Sequence, residues 1–308
     1  MPRRCRLSRR DVHPGSPADD LRSRSRGANV SNNTIITEVD EVGIATITLN
    51  RPEQRNAINF EMDRAFHDAM WSFDADDDVR AIVVTGAGKA FCSGFDISAG
   101  GEAFGRATHE AHDQQLGVDS DSVAERAAFW NMRTPVIAAI NGAAVGAGLT
   151  LPLLFDIRIA AEDAKLAFIF PRRGILPEAN STWLLPRLVG LSRALELLLT
   201  GKTISGTEAA RIGLVSRAVP RDQVLDEALE LARDIAVNCA PTPVAITKKL
   251  VHEGLGETDR LAAMQRETRL TWWIGEQADA VEGVVAFFER RQPKWSGSKH
   301  VGIPEDLR

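Results

Sequence analysis

Two glycine-containing turns have the residue types and positions to stabilise negative charge that develops on a carbonyl oxygen. The first, Cys92–Asp96, follows the apolar run Ala81–Thr85, and the second, Asn141–Gly148, follows the apolar run Val136–Ile140. Glycine lets a backbone approach a ligand closely, and a helix start leaves N–H groups without intrahelical acceptors. Two such N–H groups directed at one oxygen form an oxyanion hole, worth roughly 2.7–4 kcal/mol per donor. Glycines that only permit close helix–strand packing are the alternative interpretation.

Three other features carry reactive side chains in weaker patterns. His109 and His112 have a ligand-like spacing, but they stand in a polar segment without further ligands, so we interpret them as a solvated pair and predict no metal site. Cys92 is interpreted as a small packed residue, because an oxyanion hole needs backbone donors and no thiol. Asp96 is expected to brace its own turn.

Strands alternate with helices around the two turns. The two apolar runs are typical of strands buried on both faces, and Val42–Leu49 alternates like a further strand. Asn59 is placed to cap a helix that continues to about Phe73. The other predicted elements here are a helix near 121–132, a helix that begins near Gly146, and strands over 157–160 and 166–170. This order predicts an α/β fold.

Three regions divide the chain. Residues 1–33 are rich in Arg, Ser, Pro and Gly, and we expect a disordered basic extension there, with a transit peptide or an over-long start as alternatives. Residues 34–225 form the strand-rich core, and 226–308 form a helical C-terminal region. Amphipathic stretches in the second half cover 221–237, 244–254, 257–274 and 276–290.

Composition excludes several classes of protein. Of the 308 residues, 44% are hydrophobic and 26% charged, as in globular proteins. The net charge is −5, and residues 1–33 carry +5, so the remainder carries −10, which argues against nucleic acid as a partner. Three scattered cysteines indicate a reducing compartment, and no apolar run reaches the length of a membrane span. We expect a cytoplasmic protein, or an organellar matrix protein if the extension is a transit peptide.

Five ordered segments carry a more specific pattern. They are Leu49–Pro52 with Asn56-Ala57, Lys89–Ile97, Asn141–Gly148, Leu199–Gly201 with Ala209–Val215, and Glu282-Gly283 with Ala286-Phe287 and Arg290-Arg291. In this order and spacing they resemble the crotonase family, also called the enoyl-CoA hydratase/isomerase family. The resemblance covers roughly residues 34–295.

The resemblance implies a crotonase-like ββα spiral core with a C-terminal helical region for trimerisation and closure on CoA, in a homotrimer or homohexamer. It implies that the N–H groups of Phe95 and Ala147 hold the thioester oxygen of an acyl-CoA substrate. No separate cofactor is implied, since CoA arrives with the substrate. The implied CoA-binding residues are Arg51, Arg55, Ser93, Gly94, Phe95, Asp96, Ile97 and Gly146. Solvated surface charges are the alternative for the two arginines.

The resemblance also argues against the classical hydration reaction. Hydratases of the family use two glutamates, and these positions fall on Thr150 and Phe170, neither of which exchanges protons near neutral pH. Glu178, directly after Pro177, is similar to the acid of a subset of Δ3,Δ2-enoyl-CoA isomerases and ring-modified phenylacetyl-CoA isomerases. There a single carboxylate moves the proton. A helix-start glutamate is the alternative interpretation of Glu178.

We therefore expect an enoyl-CoA isomerase in which Glu178 is the proton shuttle. Apolar neighbours such as Phe170, Leu176 and Trp183 are expected to raise its pKa by desolvation. A hydratase with a non-standard acid or base, and a non-catalytic acyl-CoA binder, remain as alternatives.

Overall fold

The computed structural model describes residues 33–98, 100–105, 107–108, 110–111 and 125–305. The predicted basic extension and the histidine pair at 109 and 112 lie outside these residues. Of the helix predicted near 121–132, residues 125–132 are described, and Phe129–Asn131 there forms a 3-10 turn instead of an α-helix. Across the described ranges, no helix is long and apolar enough to cross a membrane.

A six-stranded sheet forms the centre of the fold. In spatial order its strands are β1 (Ile35–Val39), β2 (Ile44–Leu49), β3 (Ala81–Gly86), β5 (Val136–Ile140), β7 (Ile157–Ala161) and β10 (Arg217–Val219). The first pair is antiparallel and the others are parallel. Every residue of β3 and β5 is buried, as the continuous apolar runs predicted.

A second sheet lies directly behind the turns of interest. Its strands are β4 (Ala90–Cys92), β6 (Ala143–Val145), β8 (Leu166–Ala167) and β9 (Thr203–Ile204). Because β3 and β5 are neighbours in the large sheet, the short strands that follow them, β4 and β6, are also neighbours and pair in parallel. This pairing places the two glycine-containing turns side by side.

The helices in chain order are α1 (Phe60–Ala75), α2 (Ala147–Thr150), α3 (Ser181–Val189), α4 (Leu191–Thr200), α5 (Gly206–Arg211), α6 (Val224–Asn238), α7 (Pro241–Gly254), α8 (Arg260–Gly275) and α9 (Ala278–Glu289). The Asn59 side chain accepts a hydrogen bond from the Met62 N–H at 2.9 Å, so the predicted cap of α1 is confirmed. Alpha-helix and strand therefore alternate as predicted for an α/β fold.

Two further sequence predictions differ from the structure. The strand predicted over 166–170 ends at Ala167, and Phe170–Arg173 forms a 3-10 turn instead. Pro171 favours this turn, because its φ is fixed in the helical range and it lies in the first turn, where its missing N–H is not needed. The helix predicted near Gly146 has a single turn and continues as the 3-10 turn Leu151–Leu154.

The C-terminal helices have two different environments. Helix α6 crosses the predicted boundary at 225 and packs against the large sheet through Val224, Ala228, Ala232 and Ala236. Helices α8 and α9 expose many large apolar side chains, including Trp272, Phe287 and Phe288. Exposed apolar surface of this kind is typical of an interaction site. The domain boundary and the oligomerisation role stay predictions.

Candidate active site

The two predicted oxyanion segments come into direct contact. Gly94 has φ +99°, and a Cβ added there would lie 2.8 Å from the Val145 carbonyl oxygen and 3.6 Å from the Ala147 nitrogen. Gly146 has φ +56°, also in the region that favours glycine. Both turns therefore require glycine for their conformation, and at Gly94 a side chain would push the segments apart.

The N–H groups of Phe95 and Ala147 are available to a ligand. Ile58 donates its N–H to the Gly94 oxygen and accepts from the Asp96 N–H, both at 2.8 Å, so the Phe95 N–H points to the opposite side of the segment. Ala147 is the first residue of α2, where an N–H has no intrahelical acceptor. Among the described residues neither N–H has an acceptor, and orphaned N–H groups of this kind are rare.

Gly148 determines how closely the second segment approaches the first. A Cβ added at Gly148 would lie 2.1 Å from the Cys92 carbonyl oxygen, which belongs to the backbone and cannot turn away. We expect Gly148→Ala to lower the free energy of unfolding by about 1–3 kcal/mol, as overpacked core substitutions do. Urea unfolding measures this change. Gly254→Ala is the matched control, since nothing lies within 4 Å of its added Cβ. Equal stability of the two variants would contradict this contact.

A cavity of about 650 Å³ opens in front of the two N–H groups. Its wall combines α1, the 95–98 segment, the start of α2 and the turn before α3. Apolar side chains dominate the wall, including Phe60, Met62, Phe66, Leu151 and Leu154. The polar groups in the wall are Arg51, Asn59, Asp63, His67, Asp96, Ser98, Thr108, Arg126 and Glu178. A mainly apolar cavity with a few polar groups is typical of a ligand site.

Glu178 contributes its carboxylate to this cavity. It lies in the turn before α3, which begins at Ser181, and the Ser181 N–H donates to its backbone oxygen. The helix-start interpretation is therefore wrong for Glu178. The Thr150 hydroxyl donates a hydrogen bond to Glu178 Oε1. Burial raises the pKa of Glu178, the nearby Asp63 charge adds to this, and the Thr150 hydrogen bond opposes it.

The three apolar residues predicted to surround Glu178 differ in how deeply they are buried. Phe170 is buried, Trp183 is partly buried, and Leu176 is 85% exposed and cannot desolvate the carboxylate. Desolvation comes instead from the cavity wall around Glu178. Thr150 is fully buried, so both positions where the family's hydratases carry glutamates hold buried side chains that cannot transfer protons.

The predicted CoA-binding residues divide into two groups. Arg51 and Asp96 line the cavity and form an ion pair of 2.9 Å between Nη2 and Oδ2. Asp96 also accepts the Ser98 N–H at 3.1 Å, which confirms that it braces its turn, and this hydrogen bond together with Arg51 lowers its pKa. Arg55 and Ile97 lie exposed on the surface beside the cavity.

The other members of the predicted set act through the backbone. Ser93 donates its N–H to the Arg55 oxygen at 3.0 Å, and Gly94 and Gly146 form the turns described above. Cys92 is fully buried, and burial raises the pKa of its thiol to about 12, as expected for a packed residue. Within the described part of the chain, no cluster of three or more His, Cys, Asp or Glu side chains could hold a metal ion.

Two polar groups of the site were not predicted from the sequence, and a third, Thr150, was named there only as a position without a proton-transferring side chain. Asp63 and His67 lie one turn apart on α1 and line the cavity, and Thr150 reaches Glu178 from α2. The spacing of Asp63 and His67 beside the apolar positions of α1 was the available signal. That spacing does not distinguish a cavity-lining pair from a solvated pair.

Comparison with known proteins identifies the family. The sequence model of the family described as enoyl-CoA hydratase/isomerase matches residues 40–298. The chain belongs to the enoyl-CoA hydratase/isomerase family. The predicted family is thereby confirmed, and the crotonase-like fold is confirmed by solved structures of the family that align with the chain. The family is one of enzymes that act on CoA thioesters.

Relatives of the chain within the family are named for different reactions. The chain is 39% identical to the enoyl-CoA hydratase ACTT3 of Alternaria alternata, over 90% of each chain. It is 36% identical to the 1,2-epoxyphenylacetyl-CoA isomerase of Escherichia coli, over 83% of this chain and 96% of that one. The crystal structure of an enoyl-CoA hydratase from Bacillus anthracis aligns with a TM-score of 0.77 at 32% identity, over 86% of this chain and all of that one.

Proposed function

We propose that the protein is an enoyl-CoA double-bond isomerase of the Δ3,Δ2 type. The observation that carries the proposal is the position of Glu178, a carboxylate of raised pKa in the cavity that also contains Phe95 and Ala147. Thr150 and Phe170 stand where the family's hydratases carry glutamates. One carboxylate is sufficient for an allylic shift, in which the same group removes and returns a proton.

The reaction uses three groups of the chain. Glu178, ionised, takes a proton from C2 of the 3-enoyl thioester, and the electrons delocalise into a dienolate. Its thioester oxygen accepts hydrogen bonds from the N–H groups of Phe95 and Ala147. Protonated Glu178 then donates to C4, so that a C2–H bond breaks, a C4–H bond forms and the double bond moves from C3–C4 to C2–C3. Thr150 engages Oε1, which leaves Oε2 for the transfer.

The CoA moiety is proposed to lie along the mouth of the cavity. Arg55 is the exposed cation beside the 93–98 segment, whereas Arg51 is paired with Asp96. Arg55 is therefore the better candidate to bind a CoA phosphate. Arg51 instead holds the Asp96 side chain in place at the mouth of the cavity through their ion pair. No separate cofactor enters the proposed reaction, because CoA is part of the substrate.

Parallel incubation with a 3-enoyl-CoA and a 2-enoyl-CoA tests the proposal. We expect the purified protein to convert the 3-enoyl-CoA into its conjugated isomer. The reaction is monitored by the rise in absorbance of the conjugated thioester. We expect at most a small rate of water addition to the 2-enoyl-CoA, as measured by mass spectrometry. A rate of hydration equal to or above the rate of isomerisation would replace this proposal with a hydratase.

A hydratase is the second candidate because ACTT3 and other relatives are named as enoyl-CoA hydratases. It would need a second proton-transfer group in addition to Glu178. Asp63 is the carboxylate of the cavity whose charge acts on Glu178. Loss of hydration in both Glu178→Gln and Asp63→Asn, without isomerisation in the wild type, would favour this candidate.

The pH dependence of isomerisation should respond in opposite directions to two substitutions. Ionised Glu178 is the base, so kcat/KM falls as the pH drops below its pKa in the free enzyme. Thr150→Val removes the hydrogen bond that lowers this pKa and is expected to move the acidic limb to higher pH. Asp63→Asn removes a charge that raises the pKa of Glu178 and is expected to move the acidic limb of the profile to lower pH. Profiles of kcat/KM against pH measure both shifts.

Glu61→Gln is the matched control for these profiles, since Glu61 lies on α1 with an exposed side chain. Its acidic limb should coincide with that of the wild type. If Thr150→Val and Asp63→Asn both leave the limb in place, Glu178 is not the group that titrates.

A further inference from the structure

One face of α2 and of the 3-10 turn Leu151–Leu154 runs along the cavity of the site. Ala147, Leu151 and Leu154 line this cavity and are spaced four and three residues apart. Residues at such spacings lie on one side of a helix, one above the other. The face begins at Ala147, whose N–H is one of the two donors proposed to bind the thioester oxygen. It therefore leads away from the oxyanion hole along the cavity.

Leu154 lies at the far end of this face. The α-helical turn has four residues and the 3-10 turn that follows has four more. At the rise per residue of these two helix types, Leu154 lies about 10–12 Å from Ala147 along the axis. The side chain of Leu154 is buried. An acyl chain that starts at the oxyanion hole and follows this face therefore meets the side chain of Leu154.

A second cavity lies on the other side of Leu154. Its volume is about 230 Å³, and the side chains of Trp130, Leu153, Trp183 and Leu184 form most of its apolar wall. Among the residues that the structure describes, Leu154 alone lines both cavities. Its side chain therefore stands between the cavity of the site and a second apolar space.

The turn that carries Glu178 completes the wall between the two cavities. Ala179 lines the first cavity and Asn180 lines the second. Both have positive φ, +50° and +57°, in the left-handed region that few residues other than glycine adopt. This part of the wall is backbone, which no truncation of a side chain removes. Leu154 is therefore the part of the wall that a substitution can open.

We infer that Leu154 sets the upper limit of acyl-chain length, because its side chain ends the first cavity and closes off the second. The inference rests on the proposed function in one respect, namely that the N–H groups of Phe95 and Ala147 hold the thioester oxygen. Each CH₂ group that enters apolar surroundings raises the affinity about fourfold. A carbon without room adds nothing and strains the packing around it. Acyl chains that end before Leu154 are therefore preferred to longer ones.

Titration calorimetry with saturated acyl-CoA thioesters, from butyryl-CoA to myristoyl-CoA, tests the inference without any turnover. The affinity of the wild type is expected to rise about fourfold per carbon and then to level off or fall from one chain length onward. In Leu154→Ala the two cavities join, and the affinity is expected to go on rising for at least about two further carbons. A wild-type affinity that rises throughout the series would overturn the inference, and so would an identical limit in Leu154→Ala.

Leu153→Ala is the matched control. Leu153 lies in the same 3-10 turn and lines the second cavity, but it is not part of the first as described. Its truncation leaves the side chain of Leu154 in place, so the limit should equal that of the wild type. Leu154→Met should also keep the limit, since methionine and leucine are nearly equal in volume. A shift in Leu153→Ala as large as that in Leu154→Ala would show a general loosening of the turn and overturn the inference.

Leu154→Val keeps the inference testable if Leu154→Ala fails to fold. Truncation of a buried leucine to alanine destabilises a fold, whereas valine retains more of the side chain. Leu154→Val is expected to shift the limit in the same direction by a smaller amount, and an unchanged limit in a folded Leu154→Val would overturn the inference. Circular dichroism of each variant checks that it is folded before its affinities are interpreted.

The isomerase assay is read independently of these titrations. A chain-length limit that depends on Leu154, without turnover of 3-enoyl-CoA, would retain the role of Leu154 and reject the proposed reaction. Turnover by a protein that shows no such limit would retain the reaction and reject the role of Leu154.

Discussion

Glu178→Gln is expected to slow the turnover of a 3-enoyl-CoA by about 10²- to 10⁴-fold, the range attributed to a positioned acid or base. The effect should lie in the upper part of this range, because one carboxylate performs both proton transfers. Glutamine keeps the shape of the side chain, and its amide oxygen can accept the hydrogen bond that Thr150 donates to Oε1. Steady-state kinetics with a 3-enoyl-CoA measure the loss as a fall in the maximal rate per enzyme.

Two measurements separate this loss from a structural effect. Affinity for a saturated acyl-CoA should change far less than the turnover rate, because the N–H groups of Phe95 and Ala147 belong to other segments. Glu162→Gln is the matched control, since Glu162 is exposed and lies outside the cavity wall as described. A Glu178→Gln enzyme that retains more than a tenth of the wild-type turnover rate would show that another group moves the proton.

Elements with a continuous or strongly periodic pattern could be predicted from the sequence. Strand β5 has the predicted bounds Val136–Ile140, because a strand buried on both faces is apolar at every position. The start of α1 was also predicted, since Asn59 combines a capping side chain with the apolar period that follows. Strand β1 was missed. It lies at the edge of the sheet and exposes Ile36 and Val39, so its pattern is weak.

The chemistry of the site was only partly predictable, because it depends on contacts between distant segments. The glycine pattern indicated the two backbone donors, and their convergence follows from the pairing of β4 with β6. The hydrogen bond from Thr150 to Glu178 joins residues 28 positions apart and has no local signal. The positions of Asp63 and His67 in the cavity wall could be recognised only once α1 was placed against the cavity.

The position of Thr150 links the family resemblance to the proposed chemistry. Glu178 Oε1 meets the hydroxyl of the residue that stands where the family's hydratases carry a glutamate. The carboxylate of Glu178 thus lies beside the space that a hydratase glutamate at position 150 would occupy. This supports a site in which the acid is supplied by the turn before α3 and Thr150 orients it.

Ala147→Pro is expected to lower kcat/KM by about 10²- to 10³-fold through the loss of one oxyanion donor. Backbone donors cannot be removed by ordinary substitutions, but proline has no N–H. Ala147 is the first residue of α2, a position at which proline is well tolerated, so the fold should persist. Kinetics with a 3-enoyl-CoA and a thermal melt of the variant measure the two effects separately.

Ala147→Gly is the matched control, because it alters the side chain and keeps the N–H. If the backbone donor is what matters, the glycine variant remains within a few-fold of the wild type while the proline variant loses most of its activity. Similar activity in both variants would mean that the Ala147 N–H does not bind the thioester oxygen. The donors would then have to be sought elsewhere along the cavity, and the role of Gly94 and Gly146 would be reduced to packing.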